Sequence, residues 1–170
     1  MKFIRGLKIF KKKRFFDKRG YFEEVFMKKS VKKNFVFSCI SLSKKNVLRG
    51  LHLQIKSSQG KFLTVIKGKI FDVVVDLRKN SKSFGEYFSI TLDSKKKSSI
   101  YIPEGCAHGF CSLEEDSIVY YLCTKYRNKK SEIGIKWNDN DLNIKWPIKK
   151  PIISFKDKQN ISFREFYTNY

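Results

Sequence analysis

The sequence predicts an all-β fold, a sandwich or a barrel, and three observations carry that reading. Short runs rich in Val, Ile, Phe, Tyr and Thr recur along the chain, and these residue types suit a pleated, half-buried surface. Turns containing Gly, Asn or Ser separate the runs at regular spacing, as in sandwiches and barrels. No amphipathic pattern long enough for a major helix appears in the middle of the chain.

The elements follow in order. Strands are expected over 35–40, 47–51, 61–66, 70–77, 86–92, 99–102, 108–112 and 117–124. Lys67, Gly68 and Lys69 form a turn between two of them. Pro103, Glu104 and Gly105 form another, which delivers His108 to the head of a strand at the mouth of the barrel. The segment from Tyr126 onward holds Trp137, Trp146 and Pro147 with weak periodicity. It is expected to wrap the barrel with irregular structure and a short helix. With 170 residues, no repeat and no internal linker, the chain reads as a single domain over 1–170.

Composition narrows the function classes. A hydrophobic content of 41% opposes disorder. The apolar stretches are too short to span a membrane, and the basic N-terminus lacks the apolar core of a signal peptide. A cytoplasmic protein with no membrane partner is expected. Cys39, Cys106, Cys111 and Cys123 show neither a C-x-x-C pair nor zinc-like spacing, so they read as small, reduced, buried strand residues. The net charge of +21 attracts any polyanion. Its lysines, however, fall in short runs beside polar or turn residues, and no nucleic-acid recognition motif accompanies them. No specific nucleic-acid partner is expected.

Proton chemistry has few candidates, because the chain has two histidines. His52 is flanked by Leu51 and Leu53, and Gln54 stands two residues on, where a metal site of alternating histidines would need a ligand. No metal is expected. Imidazole titrates near neutral pH, so His52 is a candidate proton carrier. From spacing alone, a hydrogen-bonded core histidine is the stronger reading. Arg49 lies three residues before His52 and would face the other way in an ideal strand. Gly50 between them marks a candidate bulge that reorients one of the two. Arg49 and Arg19 are candidate forks for a diphosphate, set against the ordinary fate of arginine as surface charge.

The ordered motifs carry a resemblance. They are RGYFEE (19–24), VLRGLHLQ (47–54), QGKFLTVIKGKIFDVVVDLRKNSKSFGEY (59–87), IPEGCAHGF (102–110), the Tyr120–Tyr121 pair, SEIGIKWNDNDLNIKWP (131–147) and ISFKD (153–157). Together they resemble the dTDP-4-dehydrorhamnose 3,5-epimerase family over nearly the whole chain. The resemblance implies a cupin-like jelly roll that needs no cofactor and no metal. It acts on a nucleotide-linked 4-keto-6-deoxy sugar in surface-polysaccharide biosynthesis. By motif match His52 is the base, Asp157 its orienting carboxylate, Tyr121 the acid across the ring and Lys61 the cation near the C4 oxygen. His108 is a polar pocket residue, and Arg49 and Arg19 bind diphosphate. Glu24 accepts a hydrogen bond from the nucleobase. The family forms homodimers, so Arg19, Phe22 and Glu24 are expected to act across an interface.

The chain departs from the family pattern in one strand. Phe37 and Cys39 stand where the family has a Gln and an Asn that help hold the nucleotide, and neither donates a good hydrogen bond to phosphate. A dTDP or a GDP sugar, and inversion at C3 alone or at C3 and C5, both stay open at this point. Two rival readings are a sugar ketoisomerase of the same fold and a non-catalytic sugar- or polyanion-binding jelly roll.

Overall fold

The computed structural model describes residues 4–96 and 98–170. The strands are β1 (Lys8–Lys11), β2 (Lys13–Asp17), β3 (Gly20–Glu24), β4 (Phe37–Ser43), β5 (Leu48–Gln54) and β6 (Lys61–Lys67). They continue with β7 (Lys69–Asp76), β8 (Tyr87–Asp93), β9 (Ser98–Ile102), β10 (Cys106–Ser112), β11 (Ser117–Cys123) and β12 (Glu132–Gly134). Two short helices, α1 (Phe155–Lys158) and α2 (Phe163–Asn169), close the chain. None of these helices is long and apolar enough to cross a membrane.

Two five-stranded antiparallel sheets face each other, in the orders β1-β9-β6-β11-β4 and β12-β5-β10-β7-β8. From β4 to β7 the chain changes sheet at every step, as a jelly roll does. β2 and β3 form a separate hairpin.

Each expected strand is present, shifted by a few residues at its ends. The described residues also hold three strands before Phe37 and one after Cys123. The hairpin strands were hidden because their residues are largely exposed and carry no buried-face alternation.

Three layers of packing explain why the central strands read as nearly continuous apolar runs. Leu63, Val65, Ile70, Val74, Ile100 and Phe110 fill the space between the sheets. Leu51, Val73, Val75, Ala107, Ile135 and Phe166 pack on the outer face of the second sheet, beneath the C-terminal segment. Val31, Phe62 and Tyr101 form a third cluster with Phe10, Phe26 and Phe35 on the outer face of the first.

Two local features position the site. Between β10 and β5 the register passes from His108↔His52 to Phe110↔Arg49, so two steps on β10 match three on β5. Gly50 sits in this bulge at φ 125°, and a Cβ there would come within 2.5 Å of the Gly109 backbone. Only glycine fits, and the bulge turns both Arg49 and His52 toward one cavity. The second feature is the C-terminal segment, which Asn160 ties to the bulge by donating to the Gly50 carbonyl at 3.2 Å. Ser154 caps α1 by accepting from the Asp157 amide at 3.1 Å, which fixes where Asp157 sits. His108 is not at the barrel mouth. It lies inside β10 and is 6% exposed, because the turn at Gly105 precedes the strand by one residue and pairing with β7 starts at Cys106.

Candidate active site

A cavity of 720 Å³ opens between the two sheets, large enough for a small-molecule ligand. His52 and His108 reach it from the second sheet, Lys61 and Tyr121 from the first, and Asp157 from α1.

His52 Nε2 lies 2.6 Å from Asp157 Oδ1. Burial pushes the Asp157 carboxyl up, but hydrogen bonds from His52, Gly50 and Ser154 outweigh it and hold the group below its ordinary value. An ionised carboxylate only accepts. The proton in this bond therefore belongs to Nε2, so that in the neutral imidazole the lone pair is on Nδ1. The His52 side chain stays 27% exposed while Asp157 is only 5% exposed. The arrangement is a basic imidazole open to the cavity, with its orienting group sealed behind it.

His108 repeats the pairing one strand away. Its Nε2 lies 2.7 Å from Asp72 Oδ2, with Asp72 fully buried. Nothing in the sequence singled out Asp72. It sits in the apolar run of β7 and faces inward with Ile70 and Val74, and a charged residue on an inward face was the available signal.

The opposite wall supplies a hydroxyl and a cation. Tyr121 on β11 points inward while Tyr120, its neighbour, faces the other side of the sheet. The Tyr121 ring meets His108 edge-on at 6.2 Å. Burial raises its phenol well above the ordinary 10.0, and Ser41 and Arg49 partly oppose that. Lys61 pairs with Cys123 across β6 and β11. Burial lowers its pKa, against the pull of Cys123, Glu132 and Asp72. A cation with little solvent around it interacts strongly with a developing oxyanion.

The rim holds a bridge that sequence reasoning missed. Glu132 accepts from Arg127 Nε at 3.0 Å and from Lys156 Nζ at 2.6 Å. Its pKa falls to about 2, because these two cations outweigh the effect of burial. Glu132 stands in the SEIGIKW motif, which assigned it no role; its pairing with Gln54 of β5 places it two positions beyond His52.

Arg49 lines the cavity, with Nε on Ser43 Oγ at 2.9 Å and one terminal nitrogen on the Leu42 carbonyl at 3.0 Å. Arg19, Phe22 and Glu24 do not line it within one chain. Arg19 pairs with Asp17 at 2.7 Å on the exposed hairpin. Phe22 is 68% exposed. One Glu24 carboxylate oxygen is buried and meets no described partner. Cys39 differs from the other three cysteines in being exposed, because β4 is an edge strand whose inner face borders the opening; like the buried Cys123 it lines the cavity.

A family profile described as dTDP-4-dehydrorhamnose 3,5-epimerase matches residues 2–165. The chain is similar to the enzyme of that name from Methanothermobacter thermautotrophicus, with 43% identity over 88% of this chain and 85% of the relative. It is also similar to the structure of a dTDP-6-deoxy-D-glucose-3,5-epimerase from Legionella pneumophila in complex with dTDP-4-keto-L-rhamnose. That likeness has a TM-score of 0.90 at 38% identity and covers 95% of this chain and 89% of the other. An epimerase of Mycobacterium tuberculosis superposes with a TM-score of 0.93 at 34% identity, covering 97% and 88%.

Proposed function

The chain belongs to the dTDP-4-dehydrorhamnose 3,5-epimerase family, and from that premise we propose that it inverts C3 and C5 of a dTDP-linked 4-keto-6-deoxy sugar. The observation that carries the mechanism is the placement of a carboxylate-oriented imidazole and a phenol on facing sheets of one cavity.

Each inversion proceeds in two proton transfers. The C4 ketone acidifies the neighbouring C–H. His52 Nδ1 takes that proton, and the bonding pair moves into a C3=C4 (or C4=C5) double bond as the ketone oxygen becomes an enolate. Lys61 stabilises that charge, and His108, held by Asp72, lines the same pocket. Tyr121 then gives its proton to the same carbon from the opposite face. The electrons return to C4=O, and the phenolate is reprotonated from solvent. Asp157 keeps His52 in the basic tautomer and stabilises the imidazolium. Arg49, which lines the cavity, is suited to the diphosphate.

We also propose a homodimer. Ile40 and Leu42 on the edge strand β4, with Phe15, Phe16, Tyr21 and Phe22 on the hairpin, leave large side chains more than half exposed, and apolar surface of this kind marks an interface. A partner's hairpin over the cavity would supply Arg19, Phe22 and Glu24. Light scattering is expected to give twice the mass of the 20.1 kDa chain, and a monomer at micromolar concentration would refute the pairing. The unpaired cysteines support work in a reducing cytoplasm, where surface-polysaccharide precursors would be the product.

The test of the reaction is proton NMR in D₂O with dTDP- and GDP-linked 4-keto-6-deoxy sugars. Loss of both the H3 and H5 signals of the dTDP sugar is expected. Loss of H3 alone would reduce the activity to a 3-epimerase. No exchange with any sugar would return the binding-protein reading.

A further inference from the structure

Ser41 has no task in the reaction just described, yet it occupies a position in the cavity that calls for one. It lines the cavity from β4. Its hydroxyl oxygen is shielded from solvent and completes no hydrogen bond with any described residue. Leaving a buried hydroxyl unpaired is costly, so such a group needs a reason.

The register supplies one. β4 and β11 are antiparallel, with Cys39 opposite Tyr121 and Ser41 opposite Val119. Ser41 and Tyr121 are thus diagonal neighbours on the same inward face, and an aromatic side chain spans that diagonal. The serine hydroxyl lies beside the phenol, and hydrogen bonding between the two opposes the rise that burial imposes on it, although no contact of Ser41 Oγ reaches full hydrogen-bond geometry at rest. The other groups around the phenol are poorly placed to hold a negative oxygen. Asp72 and Cys39 disfavour that charge. The His108 ring nitrogen Nε2 is committed to Asp72. Arg49 has two of its nitrogens committed to Ser43 and Leu42.

We propose that Ser41 is a positioning residue for the acid, its hydroxyl turning to donate to the Tyr121 oxygen as that oxygen loses its proton. The inference rests on the epimerase reading. When Tyr121 protonates the sugar carbon, the O–H bond breaks and its electron pair stays on the phenolate oxygen. Ser41 O–H donates to that oxygen and keeps its own proton. Solvent restores the phenol, and the Ser41 contact relaxes. A hydroxyl whose resting contact is incomplete can tighten on this oxygen as the charge appears.

The experiment compares wild type, Ser41→Ala and Ser41→Thr with a dTDP-4-keto sugar in D₂O, following deuterium incorporation and inversion separately by NMR. His52 works on the other face, so Ser41→Ala is expected to keep exchange while inversion slows about ten- to a hundred-fold, the effect of one hydrogen bond to a charged group. The ratio of exchange to inversion therefore rises, KM stays within about two-fold, and Ser41→Thr, which keeps the hydroxyl, returns the ratio toward wild type. Equal loss of exchange and inversion in Ser41→Ala would mean a merely structural role and overturn the proposal. So would an unchanged ratio, or a threonine variant that behaves like alanine. A wild-type protein that does neither reaction overturns the epimerase reading and this inference together, whereas wild-type turnover with an unchanged ratio in Ser41→Ala overturns this one alone.

Discussion

Two histidine–carboxylate pairs stand on adjacent strands, and they differ in almost nothing but solvent. His52 and His108 face each other in the register of β5 and β10, and their carboxylate contacts are 2.6 and 2.7 Å. The His52 side chain is 27% exposed and that of His108 is 6%. The same chemical unit is thereby suited to two tasks. In the proposed mechanism the base must release its proton between turnovers and needs a path to water, which the exposure of His52 provides. A polar pocket residue needs only a fixed direction, which burial against Asp72 gives His108.

The sharpest way to break this comparison is to remove each imidazole in turn. His52→Ala is expected to lower kcat by roughly 10²–10⁴, the range for loss of a general base, and to abolish deuterium exchange. His108→Ala is expected to cost about ten- to a hundred-fold, the loss of one pocket hydrogen bond, with exchange still measurable. Exchange that survives in His52→Ala but not in His108→Ala would reverse the two roles.

The carboxylates give the next contrast. Asp157→Asn replaces an acceptor with a group that can donate to Nε2, so the tautomer with its lone pair on Nδ1 is no longer favoured. A loss in kcat of about 10² is expected, with little change in melting temperature. Asp72→Asn disturbs a wholly buried pair, and stability should fall by about 1–3 kcal/mol, seen as a Tm lower by several degrees. Activity should fall less than in Asp157→Asn. Asp157→Asn that melts early while keeping its rate would show that exposure does not divide the pairs in this way.

The pairs also differ in how they could be read beforehand. His52 and Asp157 stand in the motifs LRGLH and ISFKD, which together point to a role. Asp72 stands in IFDVVVD, where the surrounding apolar residues dominate the pattern. The strands around both pairs were legible because their inward and outward faces are buried, which leaves long β-branched runs. The β2–β3 hairpin was not, since its aromatic residues are exposed and its register depends on no core. The one-turn helix that carries Asp157 is too short to show a period, and it is fixed by the Ser154 cap and by Asn160 reaching back to Gly50. Glu132 follows from no local pattern, because its partners come from a loop before β12 and from α1.

That rim bridge provides the smallest effect and a limit on the comparison. Glu132 is 10% exposed, but Arg127 and Lys156 are 53% and 55% exposed, so water screens most of the attraction. Glu132→Gln is expected to cost about 1 kcal/mol at neutral pH and to leave kcat within about two-fold, because the bridge touches no reacting atom. The sign with pH follows from the depressed carboxyl, at about 2 against an ordinary 4.5. The bridge's contribution is complete above 4.5 and is lost as pH falls through about 2. Wild type and Glu132→Gln should therefore differ in Tm at pH 7 and converge as the pH approaches 2. If kcat instead falls as far as it does in Asp157→Asn, Lys156 is holding its neighbour Asp157 in place through Glu132. The division between a working pair and its supports would then have to be drawn at the rim of the cavity rather than at the buried carboxylates.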